Sequence, residues 1–288
     1  MKPTVFDTYH PLVALLFFFT TLVFCMVAMQ PIYIAISCLG AFSYGVFLRG
    51  WRLAVRSLLW QLPIVLIIAL VNPLFSASGS TELFHIGLRA VYSESLVYGL
   101  CMGAMLVAVM LWFSNASQVL SSDKVMAVLG NAAPTITLMI SMIDRLVPQF
   151  VRRGREVAAV QTACLPAGAQ TGCEKMTDRL RLTSVMMGWS MEDSLETADA
   201  MRSRGWGIAK DRTTYRRYRF RFLDGATLVF LGALAALNAV LVWVACSQFQ
   251  FYPTLSVLKP WWGYAPYVVL VFVPLLLQVG ERIRWMRS

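Results

Sequence analysis

Charged residues are scarce in this 288-residue chain, since Asp, Glu, Lys and Arg make up 14% of it against 58% for apolar residues. An ordinary soluble domain is about a quarter charged and about half apolar. The imbalance excludes a typical water-soluble enzyme or binding domain and predicts a protein embedded in a membrane. The apolar runs are continuous and do not alternate with polar residues, which favours membrane-spanning helices over a membrane β-barrel.

The motifs of membrane proteases and of ATPases are also missing. The chain has two histidines, His10 and His85, with no HExxH and no GxSxG, so a metal-dependent or serine-dependent protease lacks its parts. No lysine follows the glycine-rich loop that cradles phosphates. We therefore expect a non-catalytic protein that binds neither a metal nor a cofactor, and any ATP that powers it must bind to another chain.

The six cysteines contain no CxxC pair and predict no disulfide framework. Four of them, Cys25, Cys38, Cys101 and Cys246, fall in apolar stretches and are interpreted as small apolar filling residues. The other two, Cys164 and Cys173, fall in a segment that we expect to face a reducing cytoplasm.

Six stretches are long and apolar enough, or nearly so, to cross a membrane as helices. They are residues 11–29, 31–48, 57–76, 95–113, 226–246 and 261–280. The first stretch is too long for a removable secretory signal peptide and lacks a basic leader and a small-residue cleavage site, so we expect it to remain in the mature protein.

The positions of the basic residues predict the orientation. If the amino terminus is cytoplasmic, only Arg89 and Lys259 of the 25 Lys and Arg residues fall in outer segments. This asymmetry is the one that the positive-inside rule describes, and it places both termini in the cytoplasm. The net charge of +10 is then explained by topology and contact with anionic lipids, and not by nucleic-acid binding, which uses a basic stripe interleaved with stacking aromatics.

Asp, Glu, Lys, Arg and His are absent from the predicted spans except at their borders. Proton-driven and ion-driven transporters place such groups inside the bilayer, so this absence disfavours them. The strongest polar residues in or near the spans are Asn72 and Asn238. We interpret them as interhelical hydrogen-bonding groups in preference to a substrate site.

The segment 114–225 is too long for an unstructured connection and separates the spans of residues 1–113 from those of residues 226–288. Pro134 suits the first position of a helix, and apolar residues then recur at three- and four-residue steps. They are Ile136, Met139, Ile140, Ile143, Val147 and Phe150. Although residues 135–151 are apolar enough to suggest a seventh span, Asp144, Arg145 and Pro148 predict a helix along the inner membrane surface.

A second helix is predicted from about Glu174 to Arg204, after a turn or short linker at residues 166–172. Its apolar stripe consists of Met187, Met191, Leu195, Ala198 and Met201. Gly205 and Gly207 supply conformations that end a helix, and Arg204 suits the negative end of the helix dipole. Arg204 is therefore either a capping charge or a contact for a partner. The cluster Arg152, Arg153 and Arg155 after the first stripe is interpreted as a lipid headgroup contact or an auxiliary partner contact.

The run Glu196–Gly207, ETADAMRSRGWG, resembles the signature of the transmembrane T component of energy-coupling factor transporters. In that family a short X-Arg-X element closes each of two cytoplasmic coupling helices, and Ser203, Arg204 and Gly205 match the second of them. Further similarity to one branch of the family is spread over most of the chain. It comprises Tyr9 to Leu12, Asn72 to Phe75 with Gly79, Ser122 to Lys124, Ser141 and Met142, and Val147 and Pro148.

One departure from the family pattern concerns the first element. Where it falls, after Gln161, this chain reads Thr162-Ala163-Cys164-Leu165, so the arginine is missing. Either Arg152, Arg153 or Arg155 replaces it, or contact there depends on shape and apolar surface.

The resemblance implies an all-α membrane protein with about six transmembrane helices and two long amphipathic coupling helices. It implies a force-transmitting subunit of an importer in the prokaryotic plasma membrane. In the importer that the resemblance implies, two ABC-type ATPase subunits bind ATP. A separate small membrane protein, the S component, holds the vitamin or metal ion, and this chain is expected to link them. Met139, Met142, Met187 and Met191 are candidate contacts for the S component, since flexible thioether surfaces can adapt to several partners, although core filling explains the same residues. The alternative is a self-sufficient transporter or channel with its own substrate path.

Overall fold

The computed structural model of the protein describes residues 6, 9–75, 81–86, 89–164, 172–208, 220–251, 256 and 261–287. These residues form nine helices and one β-hairpin. In chain order they are α1 Pro11–Val27, α2 Pro31–Arg49, α3 Trp51–Phe75, β1 Glu82–Ile86, β2 Arg89–Tyr92, α4 Ser93–Val119, α5 Ser122–Ala132, α6 Pro134–Cys164, α7 Gly172–Ser203, α8 Phe222–Gln248 and α9 Tyr264–Arg287. The predicted helical membrane fold is confirmed, and the hairpin is an addition that no sequence pattern indicated.

Four of the described helices are long and apolar enough to cross a membrane: α2, α4, α8 and residues 51–73 of α3. Two shorter apolar helices, α1 and residues 264–278 of α9, complete the set of six predicted spans. Neither α6 nor α7 belongs to this set. The interpretation of residues 135–151 as something other than a seventh span therefore agrees with the structure.

The chain divides into two compact units, of which the first comprises Met1–Val125 and Tyr218–Ser288 and the second Met126–Arg217. In the first unit α4 packs against α1, α2 and α3, while α9 packs against α2 and α8. Its core is an aromatic cluster in which Trp112 of α4 contacts Phe17 and Phe18 of α1 and Tyr44 of α2. These four side chains are at most 1% exposed, so they fix the relative positions of α1, α2 and α4.

Two glycines let α3 and α4 approach closely. A Cβ atom at Gly103 would lie 3.0 Å from the Cα atom of Val65, and one at Gly99 would lie 3.1 Å from the Cα atom of Ala69. The two glycines are four residues apart on α4, the spacing at which small residues bring membrane helices into backbone contact. In lipid the hydrophobic effect does not drive helices together, so close packing at this contact stabilises the association of α3 and α4 instead.

The two asparagines singled out in the sequence form the interhelical hydrogen bonds expected of them. Asn72 Nδ2 donates to the carbonyl oxygen of Ser95 over 2.9 Å and links α3 to α4. Asn238 Nδ2 donates to the carbonyl oxygen of Leu234 over 2.8 Å and to that of Pro266 over 3.3 Å, and the second bond links α8 to α9.

Among the described residues two carboxylates are buried, each in the first turn of a span. Glu94 of α4 accepts hydrogen bonds from the backbone N–H and the hydroxyl of Thr81, which precedes β1, and so closes the base of the hairpin. Asp224 of α8 accepts from the backbone N–H groups of His10, the N-cap of α1, and Arg221. Asp224 thus satisfies donors at two helix ends, and Glu94 satisfies those of Thr81. These hydrogen bonds offset the cost of burying the two carboxylates.

The connection between α2 and α3 is shorter than the sequence suggested. Arg49 ends α2, Trp51 begins α3, and only Gly50 lies between them, with a φ of 88°. The predicted spans 31–48 and 57–76 leave residues 49–56 as a short connecting loop. This prediction is wrong, since Arg52 and Arg56 belong to the first turns of α3. A glycine at this positive φ reverses the chain without the strain that a side chain would add.

Candidate coupling surface

The second unit consists mainly of α6 and α7, whose 31 and 32 residues include none that is buried. Large apolar side chains on both helices are exposed within this unit. On α6 they include Ile136, Met139, Ile143, Val147 and Val160, and on α7 Met176, Leu180, Met187, Met191 and Leu195. Helices of this length with exposed apolar stripes are typical of surfaces that bind a partner or a membrane.

The two helices contact each other near the middle of each. The ring of Trp189 on α7 packs edge-on against Phe150 on α6, with centroids 5.1 Å apart. The guanidinium of Arg153 lies over the Trp189 ring at 3.7 Å from its centroid. A cation over an indole face is attracted by the ring quadrupole, so Arg153 holds α6 to α7. Its neighbours Arg152 and Arg155 are exposed.

The carboxyl end of α7 closes on its own backbone. The N–H of Gly205 donates to the carbonyl oxygen of Arg202 over 3.0 Å, and the N–H of Trp206 donates to that of Met201 over 3.0 Å. Gly205 has a φ of 79°, and this combination is the Schellman motif. The backbone amides of Gly205 and Trp206 thus satisfy two of the carbonyls that the helix leaves without partners.

Arg204 lies at this capped end with an exposed side chain. Its guanidinium forms no hydrogen bond or ion pair with any residue in the described part of the chain. Nearby, Ser203 donates from its hydroxyl to the carbonyl oxygen of Ala200, and Arg202 pairs with Asp199 at 4.0 Å, with both side chains at least 80% exposed. Since the backbone supplies the cap, Arg204 presents a set of donors that the described residues do not use.

The carboxyl end of α6 has different chemistry. Ala163 and Cys164 are its last two residues, and both are exposed. The chain from 165 to 171, which includes most of the predicted turn at 166–172, lies outside the described residues. Arg155, the arginine nearest to Cys164 on α6, is nine residues earlier and about 14 Å away along the helix axis. Neither it nor Arg152 or Arg153 belongs to the end of α6.

Three of the four methionines proposed as partner contacts are prominent on the surface of this unit. Met139, Met187 and Met191 are 58%, 65% and 72% exposed, whereas Met142 is half-buried. Sequence reasoning missed Trp189, which the structure places at the contact between the two helices. The available signal was a single large aromatic residue in a helix whose apolar stripe otherwise consists of methionine, leucine and alanine.

The fold and this surface define a helical membrane protein with two long amphipathic helices outside the set of membrane-spanning segments. The chain is similar to the energy-coupling factor transporter transmembrane protein EcfT of Listeria innocua serovar 6a, with 24% identity over 194 residues. The similarity covers 62% of this chain and 71% of that protein. No protein-family model matches the chain.

Proposed function

We propose that this protein is the membrane-embedded, force-transmitting subunit of an ATP-driven importer of the energy-coupling factor type. It links two cytoplasmic ABC-type ATPase subunits to a separate substrate-binding membrane protein that carries a vitamin or a metal ion. The similarity to EcfT supports this assignment, as does the motif at the end of α7. The proposed subunit is non-catalytic and holds no cofactor. ATP is bound and hydrolysed by the ATPase subunits.

The observation that carries the proposal is the exposed Arg204 at a helix end capped by its own backbone. A guanidinium presents a planar fork of donors that matches a carboxylate or paired carbonyls on another protein. Arg204 therefore suits a groove on an ATPase, with Ser203 and Gly205 as its immediate neighbours. We propose the end of α6, at Ala163 and Cys164, as the contact for the second ATPase, where small side chains and shape replace the missing charge.

The exposed methionines of α6 and α7 are proposed as the surface for the substrate-binding protein. Met139, Met187 and Met191 leave most of their area open in the second unit, and thioether chains adapt their rotamers to different partners. Arg152 and Arg155 are proposed as auxiliary contacts with an ATPase or with lipid headgroups. Arg202 is a weaker candidate for such a contact because it pairs with Asp199.

The proposed location is the prokaryotic plasma membrane, with both termini and the second unit in the cytoplasm. The native cysteines test this orientation, because Cys164 and Cys173 are exposed whereas Cys25 and Cys101 are buried. In intact cells a membrane-permeant maleimide is expected to label Cys164 and Cys173, and an impermeant maleimide is expected to leave both unlabelled. A Thr81→Cys variant, before the hairpin, is expected to react with the impermeant reagent. Labelling of Cys164 from outside would contradict the orientation. Arg216, another position suited to this test, lies outside the described residues.

Co-purification tests the function most directly. The tagged protein, extracted in mild detergent from cells that express it with its genomic neighbours, is expected to bring two nucleotide-binding subunits and one small membrane protein with it. The chain purified alone is expected to show no ATP turnover. Recovery of the chain without any ATPase, together with substrate uptake by the chain alone in liposomes, would instead establish the self-sufficient transporter.

A further inference from the structure

We propose that the first unit contains a binding site for the phosphate group of a phospholipid, built around Arg49 at the carboxyl end of α2 and completed by Lys124. The site is distinct from the coupling surface and does not depend on the proposed function.

Arg49 is held in place by a neutral partner. One of its terminal nitrogens, Nη2, donates to Asn115 Oδ1 over 2.8 Å, and Asn115 Nδ2 donates to the carbonyl oxygen of Ala41 over 2.8 Å. Asn115 is fully buried, and Gly45 makes room for it, since a Cβ atom there would lie 3.2 Å from Asn115 Oδ1. The guanidinium is thus fixed by a preorganised polar contact between α2 and α4.

The charge of Arg49 is not neutralised within the described structure. No described Asp or Glu lies within ion-pair distance of Arg49, and its Nε atom is buried without a hydrogen-bond partner. A half-buried cation without a counter-charge is costly, because low-dielectric surroundings penalise an unpaired charge. The bond to Asn115 uses Nη2, and the Nη1 donors make no hydrogen bond with the described residues, so they are available to an anion.

A second cation lies at the same end of α4. The ammonium of Lys124 donates to the carbonyl oxygen of Val119 over 3.0 Å. Val119 is one helical turn beyond Asn115 and on the same face of α4, so the two cationic groups are held by contacts about one turn apart. A phosphate accepts hydrogen bonds from a guanidinium and an ammonium together, which makes it a better match than a neutral ligand.

The position of the site in the chain selects a lipid phosphate over a phosphate in solution. Trp51 follows Arg49 by two residues, is 64% exposed and packs against Phe42 of α2 with ring centroids 5.7 Å apart. Exposed tryptophans next to the end of an apolar span lie at the level of the lipid headgroups. Arg49 follows eighteen helical residues of an apolar span, so its charge lies where a lipid phosphate lies.

The test uses the full-length protein in neutral detergent and measures by native mass spectrometry how many lipids it retains. The probes are phosphatidylglycerol, diacylglycerol with the same chains, and inorganic phosphate. We expect phosphatidylglycerol to bind more tightly than diacylglycerol, and Arg49→Gln to weaken its binding about 10-fold. Arg52→Gln removes the same charge from an exposed side chain three residues away and is expected to change binding less than about 2-fold.

A second variant covers the case in which Arg49→Gln fails to fold. Asn115→Asp keeps Arg49 but gives it a carboxylate partner, so phosphatidylglycerol binding is expected to fall in this variant as well. An equal loss of phosphatidylglycerol binding in Arg49→Gln and Arg52→Gln would overturn the proposal. It would show that the lipid is attracted by the overall surface charge and not by a specific site. Saturation by inorganic phosphate at the affinity of the lipid would also overturn it. Unchanged lipid binding in a folded Arg49→Gln protein would overturn it as well.

Discussion

Replacing Arg204 with alanine is expected to weaken the binding of an ATPase subunit about 30-fold or more and to reduce substrate uptake accordingly. The loss of a charge-assisted contact that leaves its partner buried at an interface costs about 2–5 kcal/mol. The fold should be unaffected, because the end of α7 is capped by the amides of Gly205 and Trp206 and not by the arginine side chain. Affinity is measured with the purified ATPase on immobilised full-length protein, and folding by the melting temperature.

Three variants serve as controls for this effect. Arg204→Lys keeps the charge but not the planar fork, and is expected to recover only part of the affinity. Cys164→Ala, at the end of α6, is expected to weaken ATPase binding by about 1 kcal/mol or less, because this exposed thiol is small and uncharged. Arg202→Ala removes a neighbouring arginine that already pairs with Asp199 on the exposed surface. This variant is expected to lower the affinity much less than Arg204→Ala. Normal assembly and uptake by a folded Arg204→Ala protein would show that this arginine does not contact an ATPase.

Replacing Gly103 with leucine is expected to destabilise the first unit by about 3 kcal/mol or more, at the upper end of the range for overpacked sites. Even a Cβ atom there would lie 3.0 Å from both the Cα and the Cγ1 atoms of Val65, so α3 has to move away from α4. A loss of this size lowers the melting temperature by roughly 6–12 °C in a protein of this length. A thiol-reactive dye reports the transition through Cys101 and Cys25, after the exposed cysteines have been blocked.

Gly232→Leu is the matched control for Gly103→Leu. Gly232 lies in the middle of α8, another predicted span, and a Cβ atom there meets nothing within 4 Å. The same substitution should therefore leave the melting temperature unchanged or raise it slightly, since a helix favours leucine over glycine. Equal destabilisation by the two variants would show that the close approach of α3 and α4 does not determine stability.

The spans were predictable from the sequence because twenty apolar residues in a row have few alternatives to a membrane helix. The exact ends of the helices were less predictable from the sequence. The fourth predicted span stops at residue 113, whereas α4 continues to Val119, because Asn115 is accommodated by its bonds to Ala41 and Arg49. The hairpin was not predictable, since its base depends on Glu94 contacting Thr81, thirteen residues away, and its strands are only five and four residues long.

The candidate site was predictable in part. The glycines after Arg204 predict a helix end, and α7 ends at Ser203 with Gly205 at positive φ. The contact of Arg153 with Trp189 was not predictable, because the two residues are 36 positions apart in the chain. No local sequence pattern indicates which side chain packs against the Trp189 ring. A cluster of arginines therefore looked like one surface in the sequence, although one of its members holds two helices together.

The position of Trp189 along α7 has a mechanical consequence. Fourteen residues separate it from Ser203 and seventeen from Gly172, so the two arms of the helix measure about 21 Å and about 26 Å. If α7 transmits movement as proposed, the contact with Phe150 and Arg153 would be the pivot between these arms. A pull on Arg204 that tilts α7 as a rigid rod moves its amino end in the opposite direction by a similar and slightly larger amount. In the proposed function, a displacement at Arg204 would then reach the amino end of α7 undiminished, and weakening the Trp189 contact would reduce that displacement.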